Sequence, residues 1–560
     1  MKRTILCTIA LGLFMQTAFA QFELEVKKVE LSGNGKSKQA RLVSSEYDVA
    51  TKKTNLLYSY TTCEGDQTSD ASYRYFEADG LAYSFEKMSF DANFNFLNLD
   101  KSTVSGLANA LKVAPVLGPD FNIASPYGYV IGANREGSWL TQHKLYTKVV
   151  ATSKSGLFYC NEVIQARKGE LMIPFPGESV MFNKTVANGV YVATQNSKAE
   201  TTVNTGFFDH AGKKIVSGSF NVNYAFASIG FVLTKEDGGT DLVFILQPTQ
   251  KYNKYGIKVD KLKANTLEFE YIRVDGKTMN VKERFTFQAK NSQWYIEHAI
   301  EKNNAVYLFG PASTGAEPTP YGFGGFSAIE GKFDGFVSID KLTNYQIAKI
   351  KAGKAEYVSS FTPDDMQKTQ SVVAGTKGKS NPTGYFRLQE IKFLNDRIFI
   401  TGQGCKLSSP GDERYQTFMM MINEAGALTN LFSIPKDKYA NSNLFFSGDG
   451  NTLMWAVYDY SEYEIQANKK EQAGIKLGFY QKGDDHIFLG KRKNDDGPML
   501  QLVRIDLTAN KASALQNCGV EEYTLYDDYP VLYSSGSEVV FLGTSGKNKE
   551  RFTNVIKVKF

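Results

Sequence analysis

The chain has 560 residues, of which 42% are hydrophobic and 13% aromatic, and its net charge is +5. That is ample apolar material for a core, and the modest 15 Pro and 48 Gly exclude a low-complexity or collagen-like chain. Charges of both signs are interspersed without long runs of one sign, so the sequence carries no electrostatic footprint for nucleic acid or anionic lipid.

The chain opens like an export leader of the bacterial type. Lys2 and Arg3 precede an apolar run from Ile5 to Phe14, and small residues at Ala18 and Ala20 end it. The run is shorter than the ~20 residues a membrane helix needs. Cleavage after Ala20 is expected, leaving Gln21 first. A lipoprotein leader would place a cysteine there, and no later segment reads as a transmembrane span. The expected destination is the periplasm or the cell surface. Four cysteines remain, Cys63, Cys160, Cys405 and Cys518. They are far apart, which excludes a C-x-x-C redox or zinc motif and leaves their pairing open.

From Phe22 onward the pattern is that of strands. Phe22–Leu31 is strand-like, and short continuous apolar runs then recur. They are Leu56–Tyr58, Gly189–Ala193, Leu242–Leu246, Val306–Gly310, Ile398–Gly402 and Val539–Gly543. A run with no polar alternation predicts a strand covered on both faces. Several are followed by a second strand and a turn rich in Asp, Asn, Gly or Lys, as at Phe207–Gly212, Phe336–Lys341, Phe418–Gly426 and Val555–Phe560. Two stretches read as helical insertions. Thr362-Pro363-Asp364-Asp365 offers an N-cap, a first-turn proline and first-turn acids for a helix through Val373. Ser102–Val113 places Val104, Leu107, Ala108 and Leu111 on one helical face.

Strands covered on both faces, at irregular spacing, fit an all-β fold with four-stranded sheets packed around a channel. The expectation is a single β-propeller over residues 21–560, with seven or eight irregular blades of roughly 70 residues each. Pairing the N-terminal strand with the strand Asn554–Phe560 would close the ring and remove an open edge.

One segment adds a resemblance. Phe445-Phe446-Ser447-Gly448-Asp449-Gly450-Asn451-Thr452-Leu453-Met454-Trp455-Ala456 resembles the repeat of TolB-like (WD40-like) propellers, in which Asp-Gly makes the tight turn between an outer and an inner strand. The resemblance covers these residues alone.

Motifs for chemistry are absent from the sequence. Gly375–Ser380 ends in Gly-Lys-Ser, but Val373 occupies the position of the first P-loop glycine. There is no G-x-S-x-G elbow. The histidines His143, His210, His298 and His486 are dispersed, without metal-ligand spacing. The acid pairs Asp364-Asp365, Asp484-Asp485, Asp495-Asp496 and Asp527-Asp528 are sequence neighbours, whose side chains diverge on an extended chain. No catalytic residue, metal ligand or cofactor site is therefore assigned. The candidate binding residues are Tyr321, Phe323 and Phe326, on the Gly- and Pro-rich segment Pro311–Gly331, where aromatics next to a buried strand are suited to a contact surface. The expected function is non-catalytic binding of another envelope protein, as an accessory subunit of an outer-membrane assembly. The competing expectation is an extracytoplasmic enzyme acting on glycans or peptides at the channel mouth, with acids drawn from different blades.

Overall fold

The computed structural model describes residues between 22 and 560. Outside the described residues lie 1–21, 32–40, 63–81, most of 106–177, 247–267, 314–342, 461–496 and several shorter loops. The leader, Cys63, Cys160, His143, His210, His486, the segment Phe336–Lys341 and the three candidate aromatics fall among these.

The described chain is all-β, with one short helix. Seven antiparallel sheets follow one another along it, spanning residues 41–105, 178–221, 229–288, 293–361, 370–435, 440–518 and, for the last, 524–559 together with 23–30. We call them blades 1 to 7. Each has four strand positions, and in blades 4, 6 and 7 one position is split into two short strands. Blade 5 carries an added outer strand, Gln370–Val372, parallel to Leu428–Pro435. Two small ladders, Asn122–Ala124 with Val130–Gly132 and Leu157–Tyr159 with Glu162–Ile164, lie between blades 1 and 2 in the chain.

The apolar runs acquire one meaning in this arrangement, since every one lies in the second strand of a different blade. Lys53–Thr62, Gly189–Asn196, Thr240–Leu246, Ala305–Ser313, Arg397–Ser408 and Glu538–Ser545 hold the six named above, and Thr452–Asp459 completes the set in blade 6. Successive side chains of a strand point to opposite faces. Leu242, Phe244 and Leu246 thus pack with Tyr191 and Phe207 of blade 2, while Val243 and Ile245 pack with Trp294 and Leu308 of blade 4. The same alternation sends Leu308 toward blade 3 and Phe309 toward blade 5. Every residue from Leu242 to Leu246 is buried, each contributing about 1.5–3 kcal/mol for a large apolar side chain.

The interfaces run in chain order from blade 2 to blade 7. Blade 7 then packs on blade 1, through Tyr526, Val540, Leu542 and Val555 against Leu42, Leu56, Tyr58 and Met88. Sheets stacked face to face in order, with the last against the first, make a β-propeller. First strands are innermost. Those of blades 5 and 6 are joined directly by Gln389 Nε2 to the Ala440 carbonyl (2.6 Å) and by Ser442 Oγ to Gln389 Oε1 (2.9 Å). Fourth strands such as Lys214–Asn221 and Val281–Gln288 alternate toward solvent. The chain's first strand, Glu23–Glu30, is the outermost of blade 7 and pairs with Phe552–Lys559 over its whole length.

The helix Pro363–Thr369 starts as its sequence prescribes but stops short of the expected Val373, because Gln370–Val372 pairs as a strand with Leu428–Pro435. Thr362 Oγ1 accepts from the Asp365 N–H, the Asp365 carboxylate accepts from the Thr362 N–H, and Met366 is fully buried. The second helical expectation is corrected where it can be seen, because Ser102–Ser105 end the strand Phe96–Ser105 paired to Ala82–Phe90. Residues 106–113 lie outside the described residues. The Asp-Gly hairpin at 449–450 joins the innermost strand Ala440–Phe446 to the second strand, not an outer strand to an inner one.

Candidate functional site

The two ends of the propeller are built differently. First-to-second and third-to-fourth strand connections share one end, and they are short. Asp or Asn opens most of the third-to-fourth turns. Asp91 accepts from the Asn93 and Asn95 N–H groups, Asp275 from Lys277 and Thr278, Asp506 from Thr508 and Ala509, and Asn423 from Ala427. A side chain that satisfies its own turn in this way fixes a compact loop.

This end is also pinned between blades. Gly448 N–H donates to the Gly536 carbonyl (2.8 Å), tying blade 6 to blade 7. Tyr47 of blade 1 stacks on Tyr533 of blade 7 with centroids 3.9 Å apart. Tyr191 of blade 2 donates to the Gly276 carbonyl of blade 3 (3.2 Å). Blades 3 and 4 meet at a charged cluster in which Arg273 Nη1 donates to Asp241 Oδ2 (3.3 Å) and Glu301 Oε1 (3.0 Å). Lys282 joins Asp241 to Asp275. Its hydrogen bond, with those from the Thr278 and Lys277 N–H groups, holds the Asp275 carboxyl well below the usual carboxylate range. Burial pushes the neighbouring Tyr271 phenol up to about 12. Every charge in this cluster has an opposite partner, so the group reads as an inter-blade clamp.

The opposite end carries the second-to-third strand connections, and here the long segments 63–81, 247–267, 314–343 and 460–498 leave blades 1, 3, 4 and 6. Tyr321, Phe323 and Phe326 lie outside the described residues, but both ends of their segment are fixed. Ala312 pairs with Asn344, and both are buried above Trp294. The expected buried strand Val306–Gly310 beneath that segment is found, within the buried stretch Ala305–Ala312.

Buried polar side chains gather toward this same end. Asn344 and Gln346 start the third strand of blade 4, and Thr401, Gln403, Gln416 and Thr417 flank the far hairpin of blade 5. Asp459 and Gln501 face them from blade 6, and Thr553 and Asn554 start the third strand of blade 7. Some are visibly satisfied. Gln501 Nε2 donates to Asn517 Oδ1 (2.8 Å), and Thr553 Oγ1 shares hydrogen bonds with Tyr58 (2.6 Å) and Tyr526 (2.8 Å). Others have buried polar atoms without a hydrogen-bond partner among the described residues, such as Trp294 Nε1, Asn344 Nδ2, Thr401 Oγ1, Thr417 Oγ1 and both side-chain polar atoms of Asn554. Such atoms are ordinarily satisfied by water or another donor or acceptor. Sequence reading missed this polar layer, because isolated Gln, Asn and Thr within apolar strands look like solvent-facing positions.

His298 opens the strand His298–Lys302 with an exposed side chain. Cys518 is a free, buried thiol, pushed up to about 12 by burial and therefore unreactive. Asp365, the described member of the acid pairs with a resolved bonding role, caps its own helix. Among the described residues no three His, Cys, Asp or Glu side chains converge as metal ligands, and no helix is long and apolar enough to cross a membrane.

No family model and no curated protein matches the sequence. Solved structures give distant likenesses. The Dos1 propeller is 10% identical, with a TM-score of 0.27, over 68% of this chain and 78% of that one. A variant of the Synechocystis apocarotenoid oxygenase is 10% identical, with a TM-score of 0.31, over 90% of this chain and 95% of that one. The Pyrococcus horikoshii acylaminoacyl peptidase is 7% identical, with a TM-score of 0.27, over 92% of this chain and 51% of that one. At these values the likenesses carry no argument about activity. The assignment of the fold rests on this chain's own strand pairing and blade packing.

Proposed function

We propose that this propeller is an exported, non-catalytic binding protein that takes another envelope protein on its long-loop end, as an accessory subunit of an outer-membrane assembly. The observation that carries the reading is the asymmetry of the two ends. One end is closed by self-satisfied Asx turns and inter-blade pins, while the other combines long connections with a layer of buried amides and hydroxyls. Long connections on a rigid scaffold are where binding residues concentrate. The leader-like N-terminus supports export.

On this reading Tyr321, Phe323 and Phe326 supply the apolar anchors of the contact. The test is replacement of all three by Ser, followed by affinity capture from the native envelope and a thermal melt. The expected result is loss of the co-purifying partner with a thermal midpoint within about 2 °C of the parent. Retained capture with a lowered midpoint would mean that the aromatics are core residues and that the reading is wrong.

A further inference from the structure

The N-terminal strand touches three blades. Among the described residues its backbone pairs only with Phe552–Lys559 of blade 7, yet its two ends are anchored in different interfaces. Phe22 enters the cluster between blades 6 and 7, with its ring edge-on to Phe560 and beneath the Arg504 guanidinium. Val29 and Leu31 enter the cluster between blades 7 and 1. Midway, Lys27 reaches Asn95 Oδ1 of blade 1 (3.0 Å).

Gln516 of blade 6 reads the backbone of Phe22 in both directions. Its Oε1 accepts from the Phe22 N–H (2.9 Å), and its Nε2 donates to the Phe22 carbonyl (3.1 Å). A side-chain amide so placed imitates a neighbouring strand and recognises an extended segment. Between the anchors, little side-chain burial holds the strand, and Val29 is its single fully buried residue from Glu23 to Glu30. Glu23 pairs with Lys559 (3.3 Å), and Glu25 lies opposite Lys557 in register.

We propose that the edge of Phe552–Lys559, flanked by Gln516 and the blade 7–blade 1 cluster, is a strand-binding site whose occupant can leave and be replaced while the blades stay folded. Its ligand class is an extended peptide with an aromatic residue at its first position, acids at the second and fourth, and branched apolar residues at the eighth and tenth, as in Phe22–Leu31. Backbone pairing supplies the affinity, and the end pockets supply register and specificity. A second copy of this chain carries such a segment, so the exchange provides a route to strand-linked oligomers.

The experiment uses the intact chain and a fluorescent synthetic peptide of residues 21–31. The peptide is expected to incorporate slowly into the parent protein and at least about tenfold more into F22S, whose own strand has lost its anchor. A scrambled peptide is expected not to incorporate. Native-state hydrogen exchange on the parent supplies an independent readout. Residues 23–30 are expected to exchange roughly a hundredfold faster than 555–558, as a separate low-stability unit. No incorporation into either protein, together with equal protection of the two strands, would overturn the proposal.

Discussion

At the level of single residues, the architecture depends on a few backbone contacts that admit no side chain. Gly276 is the clearest. A Cβ built there would stand 1.9 Å from the Thr240 carbonyl oxygen, inside blade 3 and beneath the Tyr191 hydroxyl. Backbone cannot yield as a flexible side chain can, so Gly276→Ala should destabilise the protein by about 2–4 kcal/mol. Chemical denaturation would measure it, and a change below ~0.5 kcal/mol would show that the turn relaxes freely. Sequence reading reached such residues only in part. Gly276 follows Asp275 and is legible as a turn, but its close approach to Thr240 depends on a strand distant in sequence. The same reason hid the Gln516–Phe22 and Arg273–Glu301 contacts. The aromatics Tyr321, Phe323 and Phe326 were chosen on composition and stand as proposals.

Among the elements, the one described helix was the most legible, because its signals are local. Thr362, Pro363 and Asp365 specify a start within four residues, and the capping box forms. Removing the cap by Thr362→Ala should cost about 1 kcal/mol, read as a lowered denaturation midpoint. The pH dependence follows from the same contact. The Thr362 backbone N–H and hydroxyl hold the Asp365 carboxyl below its usual value, as the Lys282 contact does for Asp275. A carboxylate depressed in the folded state stabilises it fully above the unfolded pKa of about 3.9, and that contribution is lost as pH falls through the folded value. Asp365→Asn, which removes the titrating group, should therefore flatten the acid limb of the stability profile below pH ~4. An unchanged limb would remove Asp365 from the acid response. The apolar second strands were equally legible, since coverage on both faces erases the period of two. Ser102–Val113 was not, because Val104, Leu107 and Leu111 fit a helical face while pairing to Ala82–Phe90 decides for a strand at its start.

For the whole molecule, irregular connections mask the repeat in the sequence while the packing keeps it. The second strands of blades 3 to 7 are each clothed by two neighbouring blades, and the first described strand of the chain is the outer strand of the last blade. The asymmetry between a pinned, short-turn end and a long-loop end with a polar layer then follows from topology, because second-to-third connections all leave from one side. The most direct test of this account is an experimental density map at side-chain resolution. It should show the blades in chain order around one axis, with residues 23–30 beside 552–559 and the segments 63–81, 247–267, 314–343 and 460–498 leaving from a single end. Two stacked sheets without a central channel, or long segments divided between both ends, would contradict it.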